Sequence, residues 1–221
     1  VKDFAKADRH AAQNFIHVAK DSTLRRVIYL GGLGGENKSA SIHLNSRYEV
    51  GKILQSGPIA TTIFQSAQIL GSGSASFEML RYMAERLPFM IVPDQIMDTK
   101  IQPICIRNVL NYLEGALECE ETINQTFDIG GPEVITYRQL FNIYATEAGI
   151  RKTVFINPPF RHKFGRKFAF ELAKLILPIP ASISEPLLEG APVPVFVKED
   201  RIARIIPQKM MTCREAIRRA I

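Results

Sequence analysis

Cysteine is scarce in this sequence of 221 residues, which contains only Cys105, Cys119 and Cys213. Their odd number and unpaired spacing exclude a disulfide framework, so reduced thiols in a cytoplasmic compartment are expected. Long apolar runs are also absent, since no stretch approaches the roughly 18 residues that a membrane span needs. The first residues do not resemble a signal peptide, because charges such as Asp3 and Lys6 interrupt any apolar core. No metal site is expected.

Nucleic-acid-binding motifs are missing as well, although the formal net charge is +6. Much of the positive excess lies after residue 150, for example in RHKFGRKF at 161–168. Without a recognisable motif or a long basic run, we interpret this excess as a solvated basic face or a pocket for a phosphorylated small molecule. The sequence therefore predicts neither a nucleic acid nor a membrane as partner.

Strands and helices alternate along the first 150 residues. Strands are predicted at 25–32, 59–64, 88–93, 102–106 and 125–131. Helices are predicted at 8–19, 43–54, 107–117 and 136–149, with Asp8 and Thr136 as N-caps, and another helix follows Ser74. This order predicts an α/β fold with a largely parallel sheet and helices on both faces, which forms domain 1–150. The proline-rich residues 151–221 are predicted to form a small C-terminal lobe that ends in a helix at 212–220.

The helix HLNSRYEVGKIL (43–54) contains the pattern Tyr-x-x-x-Lys at Tyr48 and Lys52, a catalytic pair in one large group of oxidoreductases. Each helical residue turns by about 100° from the last, so the apolar residues define one buried face. His43 lies near the middle of that face and Arg47 lies close to it, whereas Tyr48 and Lys52 point to nearly the opposite side. We therefore predict that His43 and Arg47, and not the literal match, face the crevice beside the sheet.

Five segments carry a family resemblance: RRVIYLGGLG (25–34), HLNSRYEVGKIL (43–54), TTIFQSAQILGSGSASF (61–77), QPICIRNV (102–109) and FDIGGPEVITYRQL (127–140). Together they resemble the atypical short-chain dehydrogenase/reductases, and more narrowly the nucleoside-diphosphate-sugar epimerase-like, NAD(P)-binding proteins. The resemblance runs over nearly the whole chain and is strongest from Asp8 to Gly149. It implies a Rossmann-type parallel sheet, NAD or NADP as cofactor, and a small-molecule substrate.

Extended members of that superfamily carry Tyr-x-x-Ser-Lys on this helix. When the two patterns are aligned on the serine, Ser46 matches it, Arg47 takes the lysine position and His43 takes the tyrosine position. The resemblance thus implies His43, Arg47 and Ser46 as candidate catalytic residues, with His43 as acid/base and Arg47 as the anchor for ribose hydroxyls. Arginine cannot act as a base. The alternative interpretation is that His43 is a polar residue at a helix start and Arg47 a packing or phosphate contact.

The resemblance implies further contacts with the cofactor and the substrate. Gly31 and Gly32 stand where the family presents a hydroxyl at a strand end, so they either admit a flat ring closely or only form a loop. The triplet 67–69 (Ala67, Gln68 and Ile69) lies on the segment that passes the nicotinamide in the family. Phe77 and Arg107 are implied as substrate-binding residues, although Arg107 could instead cap its helix.

A glycine-rich dinucleotide turn is the missing part of this resemblance. In the family such a turn follows the first strand, where backbone amides hold the pyrophosphate. No Gly-x-Gly-x-x-Gly precedes Asp8, and GGLGGENKSAS (31–41) follows a later strand with the wrong spacing. At roughly 30 residues per β-α-β step, about three units are expected to be missing upstream of Val1, so this chain resembles either the C-terminal part of a longer protein or a natural truncation. NAD or NADP is therefore expected for the intact protein and need not bind this chain.

Two functions of different class remain open. The first is an NAD(P)-dependent oxidoreductase or epimerase that acts on a small carbonyl or hydroxyl substrate, either nucleotide-linked or phosphorylated. The second is a non-catalytic NAD(P)-binding redox sensor, regulator or assembly factor, favoured by the missing tyrosine and the missing strand-end hydroxyl. A structural remnant without a ligand is the third alternative, and a homo-oligomeric assembly is left open.

Overall fold

The computed structural model of the protein describes residues 4–36, 41–87, 89–156 and 190–221. The helices in these regions are α1 (Phe4–Ala19), α2 (Ile42–Gln55), α3 (Ala75–Arg86), α4 (Asp94–Met97), α5 (Ile106–Glu118), α6 (Tyr137–Glu147), α7 (Arg201–Ile205) and α8 (Cys213–Ala220). The strands are β1 (Arg26–Gly32), β2 (Ala60–Ser66), β3 (Ile69–Leu70), β4 (Phe89–Ile91), β5 (Lys100–Ile101), β6 (Ile104–Cys105), β7 (Thr126–Ile129), β8 (Ile135–Thr136) and β9 (Val154–Ile156). The predicted alternation of strands and helices is confirmed.

The main sheet has three parallel strands in the order β1-β2-β7. Val27 pairs with Thr61 between the first two strands, and Ile63 pairs with Thr126 between the second and third. Three shorter pairs lie outside this sheet: β3–β6 and β4–β9 are parallel, whereas β5–β8 is antiparallel. The predicted parallel sheet is therefore confirmed, and most of the shorter strands lie between β2 and β7 in the chain.

Helices cover both faces of the main sheet, as predicted. Side chains alternate along a strand, so Val27 and Tyr29 of β1 lie on one face, in a hydrophobic cluster with α1 and α2. Ile28 and Leu30 lie on the other face, where they pack against a cluster that contains residues of α5. The sheet thus forms the middle of three layers.

One predicted helix boundary is wrong. Asp8 does not cap α1, because the helix already begins at Phe4 and Asp8 lies in its second turn. The residues that precede Asp8 include two alanines and a lysine, which favour helix and extend it towards the N-terminus. Asp8 is therefore a side chain on a helix surface, free to contact a neighbouring element.

Other predicted boundaries are confirmed. The side chains of Ser74 and Thr136 accept hydrogen bonds from the first turns of α3 and α6. Gly149 follows α6 with φ +65°, the left-handed conformation that ends many helices. The final helix α8 begins after Thr212, which forms a capping box with Glu215. These helix ends could be predicted from the sequence because capping depends on neighbouring residues in the chain.

A third hydrophobic cluster, the outer cluster, lies outside the three layers. Its buried members are Leu70, Phe77, Leu80, Ala84, Met90, Met97, Ile101, Cys105, Leu140, Phe141, Tyr144, Cys213, Ala216 and Ile217. Helices α3, α6 and α8 supply most of these residues, and the Phe77 and Tyr144 rings meet edge-on with centroids 6.1 Å apart. Residues from distant parts of the chain therefore share one core.

The basic segment 161–168 and most of the proline-rich stretch 177–196 lie outside the described residues. Among the helices that the structure does describe, none combines the length and the apolar character of a membrane span.

Candidate functional site

The N-terminal end of α2 lies over the end of β1. The backbone N–H of Leu33, just after β1, donates to the Ser66 carbonyl at the end of β2, with a distance of 2.9 Å. A Cβ atom on Gly32 would lie 2.6 Å from Cδ2 of Leu44, in the first turn of α2. Glycine at this position lets helix and strand approach each other closely. The start of α2 thus borders the carboxyl edge of the sheet, where parallel α/β folds bind ligands.

Four residues from three elements form a polar cluster beneath this edge: Asp8 of α1, Tyr29 of β1, and Ser46 and Arg47 of α2. The Ser46 hydroxyl donates to Oδ2 of Asp8 at 2.9 Å, and Nη2 of Arg47 lies 3.3 Å from the same oxygen. The Tyr29 hydroxyl donates to the backbone carbonyl of Arg47 at 3.2 Å. The cluster fixes α2 against both the neighbouring helix and the sheet.

His43 lies one turn before Arg47 on α2 and is half-buried. Burial lowers the pKa of its imidazole, and the nearby positive charge of Arg47 lowers it further, whereas Asp8 acts in the opposite direction. The ring of Phe4, on α1, lies 6.1 Å from the imidazole between centroids. A neutral imidazole can accept a proton, so these surroundings suit His43 for proton transfer near neutral pH.

Within the polar cluster, Ser46 is only 3% exposed. Its hydroxyl is occupied by Asp8, which favours a supporting role over contact with a substrate. Sequence reasoning missed Asp8 and Tyr29 as members of the site. Asp8 lies four residues before the buried Ala12 and therefore on the same face of α1. This spacing is the sequence feature that could have identified Asp8 as a member of the site. For Tyr29, the sequence indicated only that the residue lies in a predicted strand.

Tyr48 and Lys52 lie elsewhere on α2. Lys52 is exposed, as the helical-face argument predicted, with its ammonium 5.5 Å from the centre of the Tyr48 ring. Tyr48 is half-buried instead of solvent-facing, because the loop after β1 crosses α2 at Gly35. A Cβ atom on Gly35 would lie 2.7 Å from that of Tyr48.

The pair Tyr48 and Lys52 lines a polar cavity of about 490 Å³ together with Asp128, Lys198 and Arg201, among others. Burial raises the pKa of the Asp128 carboxyl above its usual range. The cavity lies on the side of α2 that faces β7, away from the polar cluster. The two tyrosine-containing arrangements of this region are therefore separate, and the literal Tyr-x-x-x-Lys match does not contribute to the cluster around Arg47.

Comparison with solved structures gives three informative likenesses. A nucleoside-diphosphate-sugar epimerase from Staphylococcus aureus matches with a TM-score of 0.71 at 12% identity, covering 94% of this chain and 69% of its own. An NADPH-dependent quinone oxidoreductase from Escherichia coli, in complex with NADPH, matches with a TM-score of 0.71 at 15% identity, covering 93% and 69%. A UDP-glucuronic acid 4-epimerase from Bacillus cereus, in complex with UDP-glucuronic acid and NAD, matches with 0.65 at 10% identity, covering 96% and 65%.

The fold is of the Rossmann type. It is the α/β architecture found in these epimerases and reductases, and the predicted fold class is thereby confirmed. No protein-family model and no curated protein matches the sequence. At such low identity the likeness defines the fold, and the chemistry has to be argued from the side chains.

The remaining candidates for cofactor binding lie at the carboxyl edge of this Rossmann-type sheet. Gly31 and Gly32 end β1, and they pair in register with Gln65 and Ser66 at the end of β2. The triplet 67–69 follows directly and is half-buried. Within the triplet, the side-chain oxygen Oε1 of Gln68 is buried, and no described residue donates a hydrogen bond to it. An acceptor without a donor fits a ligand that carries an N–H or O–H group, as a nicotinamide carboxamide does.

The two candidate substrate residues are not brought to the polar cluster. Phe77 is 0% exposed and belongs to the outer cluster, where it packs against Tyr144. Arg107 lies in the first turn of α5 with an exposed side chain. The structure thus groups His43, Ser46 and Arg47, leaves the strand-end residues at the nearby sheet edge, and places Phe77 in a hydrophobic core.

Proposed function

We propose that this protein is an NAD(P)-binding protein of the atypical short-chain dehydrogenase/reductase type, and that it acts as an oxidoreductase or epimerase on a small carbonyl or hydroxyl substrate. The observation that supports the proposal is the position of His43 and Arg47 in the first two turns of α2, which begins beside the carboxyl end of β1 in a Rossmann-type sheet. A titratable group and a fixed cation at such an edge are what proton transfer beside a bound nucleotide requires.

In this proposal each residue has a distinct role. His43, neutral near pH 7 because burial lowers its pKa, takes up or releases the proton of the substrate hydroxyl. Arg47 donates hydrogen bonds to ribose hydroxyls or to a phosphate. The triplet 67–69 and the glycines 31–32 border the nicotinamide, which, when bound, supplies or accepts a hydride. Arg107 stays a proposal as a substrate contact, as does a division of the chain at residue 150, whereas Phe77 packs inside the outer cluster and is not proposed as a contact.

A second candidate function is a non-catalytic NAD(P)-binding sensor, regulator or assembly factor. Two observations favour it: the guanidinium of Arg47 is already paired with Asp8, and the strand end carries glycines in place of a hydroxyl. Under this alternative, the same residues bind the nucleotide but transfer no proton.

Titration of the intact protein with NADPH and with NADH, followed by nucleotide fluorescence, tests the proposal. We expect binding that weakens about tenfold in Arg47→Gln, the loss of one charge-assisted contact, and remains unchanged in the matched control Lys52→Gln. Absence of binding by the intact wild-type protein would contradict the proposal. Turnover with sugars, aldehydes or quinones that is lost in His43→Asn favours the enzyme, whereas binding without turnover across that panel favours the sensor.

A further inference from the structure

We propose that Asp8 is a positioning residue of the candidate site: from α1, its carboxylate holds the Arg47 guanidinium and the Ser46 hydroxyl of α2 in fixed places beneath His43. The inference rests on the proposed function, because it gives Asp8 a role only through residues assigned there to proton transfer and anchoring. It concerns a residue that the family pattern on α2 does not contain.

A single oxygen atom makes both contacts. Oδ2 of Asp8 accepts the hydrogen bond from Ser46 at 2.9 Å and lies 3.3 Å from Nη2 of Arg47. The Asp8 side chain is 20% exposed and that of Arg47 is 38% exposed, so water screens the pair only in part. Two contacts to neighbouring residues of one helix restrict the guanidinium more than an isolated surface ion pair would.

The packing of α1 against α2 determines the level along the helix axes at which Asp8 makes these contacts. The helices run in parallel, since Phe4 faces His43, Asp8 faces Ser46 and Arg47, and Ile16 lies beside Gly57 just after α2. Asp8 is therefore one turn below Phe4, as Arg47 is one turn below His43. The carboxylate can reach Arg47 and still act on the imidazole above it.

Asp8 also balances the charge next to His43. Among the residues that the structure describes, the charged groups that act on the imidazole are Arg47, on the same helix, and Asp8, on α1. Tyr29 faces the cluster from the sheet, and burial raises the pKa of its phenol, which therefore stays neutral near pH 7. Without the carboxylate, the guanidinium would be the one charge from the described residues that still acts on His43.

A second ion pair joins the same helices and provides a matched control. Arg9 donates to both carboxylate oxygens of Glu49, at 2.8 and 2.9 Å, with about equal exposure of the two side chains. Like Asp8, Glu49 carries a negative charge across the α1–α2 interface. It is not among the groups that act on His43. A purely structural role for Asp8 would make these two pairs equivalent.

The test is an NMR titration of the His43 imidazole in the wild-type chain and in Asp8→Asn, Asp8→Glu and Glu49→Gln. We expect the His43 pKa to fall further in Asp8→Asn, because the opposing Arg47 charge is no longer balanced, and to stay near the wild-type value in Asp8→Glu and Glu49→Gln. If Asp8 served only to hold α1 against α2, the His43 pKa would change in the opposite direction, because loosening α1 would expose the imidazole and raise its pKa. A rise, no change, or an equal fall in Glu49→Gln overturns the proposal.

NADPH affinity separates this inference from the proposed function. If both hold, Asp8→Asn weakens NADPH binding several-fold with Arg47 still present, and Asp8→Glu restores part of it. Intact wild-type protein that binds no NADPH contradicts the proposed function, while the direction of the His43 pKa shift still decides whether Asp8 acts on this imidazole. Unchanged affinity in Asp8→Asn, with wild-type binding intact, overturns the positioning role.

Discussion

The α1–α2 interface encloses a carboxylate, a guanidinium and a hydroxyl between two helices, whereas the outer cluster of α3, α6 and α8 consists of hydrophobic side chains. Both regions join helices that are distant in the sequence. In the outer cluster the side chains exclude water and need few specific partners. In the interface, the hydroxyl of Ser46 and Nη2 of Arg47 both depend on the position of Oδ2 of Asp8.

This difference indicates that the two regions contribute to different properties. Ion pairs that are partly exposed, as Asp8 and Arg47 are, contribute only about 0–1 kcal/mol to stability. The polar cluster is therefore a poor source of stability, and its value lies in fixing the direction of charged groups. The outer cluster supplies stability through burial of apolar surface. Substitutions in the two regions should separate these effects.

The largest expected effect is a loss of stability in the outer cluster. Phe77→Ala removes a ring that is 0% exposed and packed against Tyr144. We expect the free energy of unfolding to fall by about 3–5 kcal/mol, because the substitution loses apolar burial and leaves a cavity. Urea denaturation measures this change.

The matched control for Phe77→Ala is Phe15→Ala on α1, where the ring is 43% exposed. We expect a loss below about 1 kcal/mol there. If Phe77→Ala instead kept the wild-type stability and abolished substrate turnover, its place would be in the ligand site and the comparison between the two regions would break down.

A smaller loss is expected at Asn108, a single buried polar side chain on α5. Its Nδ2 donates to Oε1 of Gln208 at 2.8 Å and to the Lys209 carbonyl at 3.0 Å, while its Oδ1 accepts from the Met211 N–H at 3.0 Å. Asn108→Asp would place a carboxylate oxygen against those two acceptors. We expect a loss of about 2–3 kcal/mol in urea denaturation, from repulsion and unpaired polar atoms.

The control for Asn108→Asp is Asn111→Asp, because exposed Asn111 also donates to Gln208, at 3.1 Å. Water can solvate a carboxylate at that position, so a change within about 0.5 kcal/mol is expected. Equal losses at the two positions would show that burial is not what makes the Asn108 contacts important.

The smallest expected effect is a pH dependence confined to the α1–α2 interface. Burial, followed by the charge of Arg47, lowers the His43 pKa in the folded protein. Protonation therefore favours the unfolded chain, and the stability contributed by neutral His43 is complete above about pH 6.5 and decreases below it. In His43→Asn, the urea midpoint should depend less on pH between about pH 7.5 and about pH 5.5 than it does in the wild-type protein. Exposed His17 provides the control, since His17→Asn should leave the slope unchanged.

Much of the fold was predictable because it depends on local patterns. Alternating strand and helix patterns predicted the parallel sheet, and capping residues such as Ser74 and Thr136 marked helix starts. The helical periodicity of α2 was enough to place Arg47 and Lys52 on different faces. Short elements such as β5 and α4 were not predicted, because two to four residues are too few for a periodicity to emerge.

The polar cluster was only half predictable. A helical wheel places residues on one helix, so it identified His43 and Arg47 but could not say which element would cover them. Asp8 looked like a cap because aspartate favours that position, and only the packing of α1 against α2 reveals its contact with Ser46. The position of Phe77 depended on tertiary packing in the same way, since its partner Tyr144 lies far along the chain.

The order of the strands also determines how this protein assembles. β1 and β2 are close in sequence, but β7 pairs with β2 only after the chain has passed through α3, α4, α5 and four short strands. Closing such a long loop delays folding, because its entropy is lost before the contacts form. During synthesis, one edge of β2 stays unpaired until residues 126–129 have formed β7. This pairing, the last in the main sheet, therefore determines how soon the sheet is protected from aggregation.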